Sequence, residues 1–275
     1  MIFLSLLAMG MGLTIAEFGG ALRRVRILAL GLVVNFAAIP ALMLLLVKVF
    51  AIESPVAVGL LLCVLAPGNG VGTLLVDYAR GDVRLSVGLV LVLTFFSVVL
   101  TPILLGLWTG SNVGAAFSIT TWPMMKLIFV FQMVPLIAGL LLRRYAESYT
   151  RKMQPSIARI ARLLVLGIIA TILLTKGDVV LANGPKPLIV SLIAIFTSFL
   201  LGWVVPFAAK TERASLGLTS MVRNLALALL LGTAFFKDPP TITAMLTYAL
   251  IMFVVAFAIA ALFRRLTPAL ERAAA

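Results

Sequence analysis

Apolar residues come in runs long enough to cross a bilayer, and polar residues gather in the short gaps between them. Runs of spanning length fall at about 1–16, 27–49, 55–80, 85–108, 119–142, 159–176, 186–209, 213–236 and 239–264. The pattern predicts an all-α polytopic membrane protein with about nine transmembrane helices, organised as one domain over residues 1–275. The connections are short and carry Gly, Pro and charge, with no long linker and no soluble domain. Met1 to Ala16 is short for a span and reads as a trimmed, tilted or incomplete first helix. It lacks the basic start and the small-residue cleavage site of a signal peptide.

Two of these runs are predicted to be interrupted. The third, LLLCVLAPGNGVGTLLVDYARGD, carries Pro67, Gly68, Asn69, Gly70 and Gly72 near its centre. Proline removes a backbone donor and glycine tolerates non-helical dihedrals, and in lipid such backbone survives only where protein or a cavity surrounds it. In the eighth, TSMVRNLALALLLG, Arg223 stands in an otherwise apolar run, with Thr219 and Ser220 before it and Asn224 after it. A charge at mid-membrane costs roughly 2.5–3.5 kcal/mol on insertion scales and marks a site by default. A break is predicted near Arg223–Asn224, on a weaker signal, because no proline or glycine lies at the centre of that run. A broken helix in each half points to the binding site of a secondary transporter. Asn35 and Pro40 ahead of the first break, and Pro206 ahead of the second, suggest an inverted repeat in which one half lacks its first helix.

Charge then sets orientation. Arg23, Arg24, Arg26, Arg80, Arg84, Arg143, Arg144, Arg151, Lys152, Arg159, Arg162, Lys210, Arg213, Arg264, Arg265 and Arg272 flank the spans on one side. The other side has only Lys48, Lys126, Lys176, Lys186 and Lys237. The excess of basic residues places the C-terminus in the cytoplasm and the N-terminus outside, in a plasma membrane or bacterial inner membrane. The acids Glu17, Asp77, Asp82, Glu147, Glu212 and Glu271 fall on the inner side, Glu53, Asp178 and Asp238 on the outer, and none at membrane depth.

Composition agrees with this reading: 63% of residues are hydrophobic, 11% are charged and the mean hydropathy is +1.22, beyond any soluble domain of this size. The net charge of +13 sits in short loops between apolar runs, so it marks an inner membrane face and not a nucleic-acid partner. Without histidine there is no His-based proton relay, zinc site or catalytic triad. No nucleophile stands beside a base, so the chain does not read as an enzyme. The single cysteine, Cys63, reads as a small core residue. Thr94, Ser97, Thr101, Gln132, Thr197 and Ser198 read as helix–helix contacts. Trp108, Trp122 and Tyr248 read as interfacial anchors, and Lys126 as a snorkelling side chain.

Several stretches together resemble the bile acid:sodium symporter family. They are MGMGLTIAEF from Met9 to Phe18, Asn35 five residues before Pro40, APGNGVGTLLVDYARGDVRLS from Ala66 to Ser86 with its continuation TFFSVVLTPIL, and TSMVRNLALALLLG. The pieces cover almost the whole chain. Nine spans match the layout that lacks the first helix of the ten-helix bacterial members. The resemblance implies a panel (about 1–22 and 119–176) and a core (about 23–118 and 186–264) in which helices three and eight cross. It also implies a small organic anion as substrate, such as a bile-acid-like or pantoate-like carboxylate, moved by alternating access and usually coupled to sodium. Asn69, Gly70, Thr73, Arg223 and Asn224 are the expected substrate-binding residues.

The family's sodium-site positions fall here on Asn35, Gly72, Thr73, Ser86, Val90, Thr219 and Arg223. Hard cations want oxygen ligands, preferably with a carboxylate, and this set offers no carboxylate and includes a guanidinium. Two roles for Arg223 follow. It replaces a missing sodium ion and ties the crossing together, or its fork binds the substrate carboxylate. Both imply an organic-anion carrier with weak or no sodium coupling and no cofactor, whose partners are the substrate and the bilayer. The alternatives are a sodium symporter that uses backbone oxygens, and a non-transporting membrane sensor with the carrier fold. An arsenite-type exporter would need a cysteine directly after Pro67, where this chain has Gly68.

Overall fold

The computed structural model describes residues 2–12, 19, 24–112, 121–175, 184–205 and 208–274. Residues 13–18 of the MGMGLTIAEF stretch, Glu17 among them, lie outside the described residues, as do Arg23, Lys176, Asp178 and Pro206. Every regular element among the described residues is helical. The helices are α1 Ile2–Gly12, α2 Val25–Val49, α3 Ser54–Val64, α4 Gly70–Tyr78, α5 Val83–Asn112 and α6 Thr121–Tyr145. They continue with α7 Glu147–Thr175, α8 Pro185–Trp203, α9 Lys210–Met221, α10 Leu225–Leu231 and α11 Pro239–Ala274. By length and composition, six stretches suit a membrane span: Val25–Val49, Val83–Trp108, Thr121–Tyr145, Pro185–Trp203, Thr211–Phe236 and Pro239–Leu266. Two further apolar helices, Phe3–Gly12 and Ser54–Val64, are shorter.

Proline and glycine explain much of the local shape. A proline ring clashes with the carbonyl four residues earlier, and widening the helix by one residue relieves the clash. Pro40 follows a π-turn at Val34–Ala38, and Pro135 follows another at Phe129–Met133. These turns carry the polar residues Asn35 and Gln132, both buried. Glycines let helices touch: a Cβ at Gly10 would strike the Leu136 carbonyl, and one at Gly139 the Leu7 carbonyl, so α1 and α6 pack backbone to backbone. Gly202 of α8 lies in the same way against α9.

Alpha-helix α7 departs from the sequence expectation. The gap between the runs ending at 142 and beginning at 159, with Arg151 and Lys152, is expected as loop but is helical from Glu147 onward. Glu147 accepts hydrogen bonds from Arg151 Nη2 (2.7 Å) and Nε (3.0 Å), and lies 3.6 Å from Arg143 Nη2. Such i,i+4 pairs contribute about 0.3–0.5 kcal/mol each on an exposed helix.

At the end rich in basic residues, Arg24 binds Asp82 at 2.8 Å and also the Glu212 carboxylate. Asp82 Oδ1 accepts from the Leu85 amide, and Glu212 Oε2 from the Ala209 amide. The start of α2 is therefore pinned to the starts of α5 and α9. The central apolar core gathers Ile39 and Met43 of α2, Leu60 to Val64 of α3, Leu218 and Met221 of α9, and Met245, Tyr248 and Met252 of α11. Phe95, Leu107, Val254 and other large apolar side chains point outward, as lipid-facing residues do.

Candidate functional site: the crossing of two interrupted helices

Between α3 and α4 the chain is non-helical from Ala66 to Asn69, and between α9 and α10 from Val222 to Asn224. Each interruption leaves helix-end amides and carbonyls without intrahelical partners, and the two breaks satisfy one another. The Asn224 amide donates to the Ala66 carbonyl at 2.7 Å, and Asn224 Nδ2 to the Gly68 carbonyl at 3.3 Å. In return, Asn69 Nδ2 donates to the Arg223 carbonyl at 2.9 Å. Each asparagine also caps the helix that follows it. Asn69 Oδ1 accepts from the Val71 amide at 3.0 Å, and Asn224 Oδ1 from the Leu227 amide at 3.2 Å. Thr101 of α5 closes the set by donating to the Leu65 carbonyl at 2.6 Å.

The two breaks are made differently. Gly68 adopts φ +88°, and a Cβ there would lie 2.6 Å from Thr94 Oγ1. Only glycine fits both the dihedral and the space. The second break has no residue of positive φ: Val222 and Asn224 have φ −87° and −81° with ψ 107° and 76°. Side-chain bonds hold it instead.

Arg223 is fully enclosed, with 0% of its surface exposed. Its backbone amide faces the Met252 sulfur at 3.1 Å, and Nη1 donates to Asn35 Oδ1 at 2.9 Å. Asn35 Nδ2 donates in turn to the Gly31 carbonyl (2.8 Å) and to Ser220 Oγ (3.0 Å). Nε and Nη2 of Arg223 meet no acceptor at hydrogen-bonding geometry. Tyr248 and Cys63 stand close enough to interact with the guanidinium electrostatically. Tyr248 therefore departs from its expected place at the membrane interface. It is fully buried, because α11 lays it against α9 and α3 in the central core. Trp108 is also largely buried, whereas Trp122 is exposed beneath Lys126, whose Nζ lies 5.2 Å from its ring.

The expected ion-site positions fall into two groups. Ser86 Oγ lies 2.7 Å from Thr219 Oγ1 and donates to Thr73 Oγ1 at 3.2 Å, with Gly72 packed on the Thr219 backbone. Asn35 and Arg223 form the second group, and Val90 is a buried apolar residue that offers no oxygen. Three neutral hydroxyls are a poor set for a hard cation. Among the described residues there is no cluster of His, Cys, Asp or Glu that could hold a metal ion. The oxygens present therefore do not fit a sodium ion well, and a buried guanidinium stands four residues on from Thr219.

Of the expected substrate residues, Gly70 and Thr73 line a crevice of about 220 Å³. The same crevice is walled by Ser5 and Met9 of α1, Val87 of α5 and Gln154 of α7. Asn69 is half-buried, Asn224 and Arg223 are buried, and none of the three lines that crevice. The sequence marked Ser220 only as a neighbour of Arg223, and carried no sign of Met252 or Gln154. The only signal for Tyr248 was its position four residues before Met252, on one face of α11. Of the residues read as helix contacts, Ser97 bonds across to Gln132 at 2.8 Å and Ser198 bonds within its own helix. The Thr94 hydroxyl has no partner.

Comparison with known proteins gives this arrangement a context. The family described as "Sodium Bile acid symporter family" matches residues 1–183. The "Probable sodium/metabolite cotransporter BASS1, chloroplastic" of Arabidopsis thaliana is 23% identical over 268 residues, covering 96% of this chain and 66% of that protein. The "Probable sodium/metabolite cotransporter BASS3, chloroplastic" of Oryza sativa subsp. japonica is 26% identical, over 87% of this chain and 57% of that protein. The human "Hepatic sodium/bile acid cotransporter" is 23% identical, over 74% of this chain and 59% of that protein. This chain thus spans less than two thirds of the length of each of these relatives.

Proposed function

The chain belongs to the Sodium Bile acid symporter family, and from that premise we propose that it is a secondary carrier of a small organic anion. The substrate is a bile-acid-like or pantoate-like carboxylate. Transport proceeds by alternating access between a panel (about 1–22 and 119–176) and a core (about 23–118 and 186–264), with nine crossings, the N-terminus outside and the C-terminus in the cytoplasm. The observation that carries this reading is the crossing of two broken helices tied by Asn69 and Asn224, directly beside a crevice that Gly70 and Thr73 line. Broken helices beside a cavity are how carriers present backbone groups to a solute. The N-terminus of α4, whose Gly70, Val71 and Thr73 line the crevice, adds positive potential where an anion would dock. Asn69, Gly70, Thr73 and Asn224 form the docking region, and Arg223 supplies fixed positive charge behind it.

Sodium coupling is weak or absent in this reading. A cation bound at the Thr73, Ser86 and Thr219 hydroxyls would share the crossing with the Arg223 guanidinium, four residues on from Thr219. Two unit charges ~7 Å apart repel by about 2 kcal/mol at an effective dielectric of ~20, which weakens binding roughly thirtyfold. The second reading is a sodium symporter that completes this hydroxyl group with backbone oxygens. The hydroxyl cluster itself and the names of the sodium cotransporters among the relatives favour it.

A thermal-shift screen of the purified protein against small carboxylates and bile salts, in sodium and in choline buffers, separates the two. Stabilisation by an anion in both buffers is expected. Stabilisation confined to sodium would replace the first reading with the second, and no response to any anion would sink both.

A further inference from the structure

Arg223 has a feature that transport alone leaves unexplained. Its Nη1 is engaged by Asn35, yet Nε and Nη2, the adjacent pair that forms the carboxylate-matching edge of a guanidinium, are left without acceptors. The buried Tyr248 hydroxyl lies within hydrogen-bonding reach of the guanidinium, at a geometry too poor to satisfy either group. No described carboxylate pairs with Arg223: the ion pairs among the described residues belong to Arg24, Arg143 and Arg151. A buried charge with no counter-charge is costly, and unpaired buried donors add to the cost. The guanidinium edge and the phenol, both enclosed and with no polar partner at good geometry beyond one another, constitute a receptor for an anion.

We propose that the free edge of Arg223 and the Tyr248 hydroxyl bind one compact monovalent anion at the helix crossing. A halide such as chloride occupies the site when no organic anion is present, and the carboxylate of a transported anion takes it during turnover. Both groups are fully buried, so a compact anion is the expected occupant and the larger methanesulfonate is the expected non-binder. The inference rests on the carrier reading only for its second occupant. The halide site stands on the residues themselves and gives the protein a response to inorganic anions.

The test is melting of the full chain in detergent while choline chloride replaces choline methanesulfonate at constant ionic strength, with acetate as the carboxylate probe. The wild type is expected to gain stability saturably with chloride, and acetate to compete with it. Tyr248→Phe, which keeps the ring in the core, should raise the chloride midpoint about tenfold, the scale of one hydrogen bond to a charge. Arg223→Gln should abolish the response. Should Arg223→Gln fail to fold, the Tyr248→Phe shift decides alone. A chloride response equal in wild type and Tyr248→Phe, or no response to chloride or acetate, overturns the proposal. Carboxylates that stabilise without displacing chloride would leave the carrier reading standing and remove the shared site. A chloride response through Arg223 with no organic anion bound would do the reverse.

Discussion

The two helix breaks meet at one point but depend on different parts of the chain. Between α3 and α4 the backbone itself is the cause. Pro67 cannot continue the ladder, and Gly68 takes a left-handed dihedral in a space that excludes any Cβ. Between α9 and α10 no residue forbids a helix, and the non-helical turn at Val222–Asn224 is held by partners. The Asn224 bonds to Ala66 and Gly68, the Asn69 bond to Arg223 and the Arg223 bond to Asn35 hold it open. The first break is thus a rigid template, and the second takes its shape from that template. A chain built this way can vary the chemistry of the second break, including a buried cation, without losing the crossing.

Substitutions can break or sharpen this contrast. The largest effect is expected at Arg223. Arg223→Gln should lower anion-dependent stabilisation by a hundredfold or more while leaving membrane insertion and yield intact, as size-exclusion profiles in detergent would show. An unchanged anion response in that variant would remove Arg223 from the site. Gly68→Ala should be next, at about 2–4 kcal/mol, since overpacking and a left-handed alanine add. Pairing it with Thr94→Ala should recover only the part owed to the hydroxyl, because the Thr94 amide nitrogen at 3.0 Å and the left-handed dihedral remain, and melting of the double variant would measure that part. If the pair melts no higher than Gly68→Ala alone, the contact with the Thr94 hydroxyl is not the cause.

Smaller effects compare the asparagines directly. Asn224→Ala should cost about 2 kcal/mol and Asn69→Ala about 1 kcal/mol, although both remove a helix cap. Pro67 and Gly68 hold the first break without Asn69, whereas the second has only its side-chain bonds. Equal melting shifts would contradict the template view. Thr101→Val is expected to be mildest, near 1 kcal/mol, through loss of one bond to the Leu65 carbonyl.

Much of this was legible before the structure. The apolar runs announced the helices, and Pro67 with its glycines announced the first break, because these residues act through their own backbones. Arg223 announced the second only as a charge in an apolar run. The bonds that make it a break come from Asn69 and Ala66, more than 150 residues away in sequence. Tyr248 was not legible, since an aromatic residue in an apolar run reads as a membrane anchor until packing places it beside Arg223. The helical start of α7 was hidden because a basic stretch reads as loop unless the spacing of Arg143, Glu147 and Arg151 is weighed. Which residues wall the crevice was equally out of reach, because it joins α1, α4, α5 and α7.

The central claim is that the chain carries its own cation at the crossing and so does not need sodium. The most direct measurement is uptake of a labelled small carboxylate, chosen from those that stabilise the protein, into proteoliposomes in sodium and in choline media. The account predicts equal initial rates in the two media, and loss of uptake in both with Arg223→Gln. Uptake that appears only with sodium would contradict it.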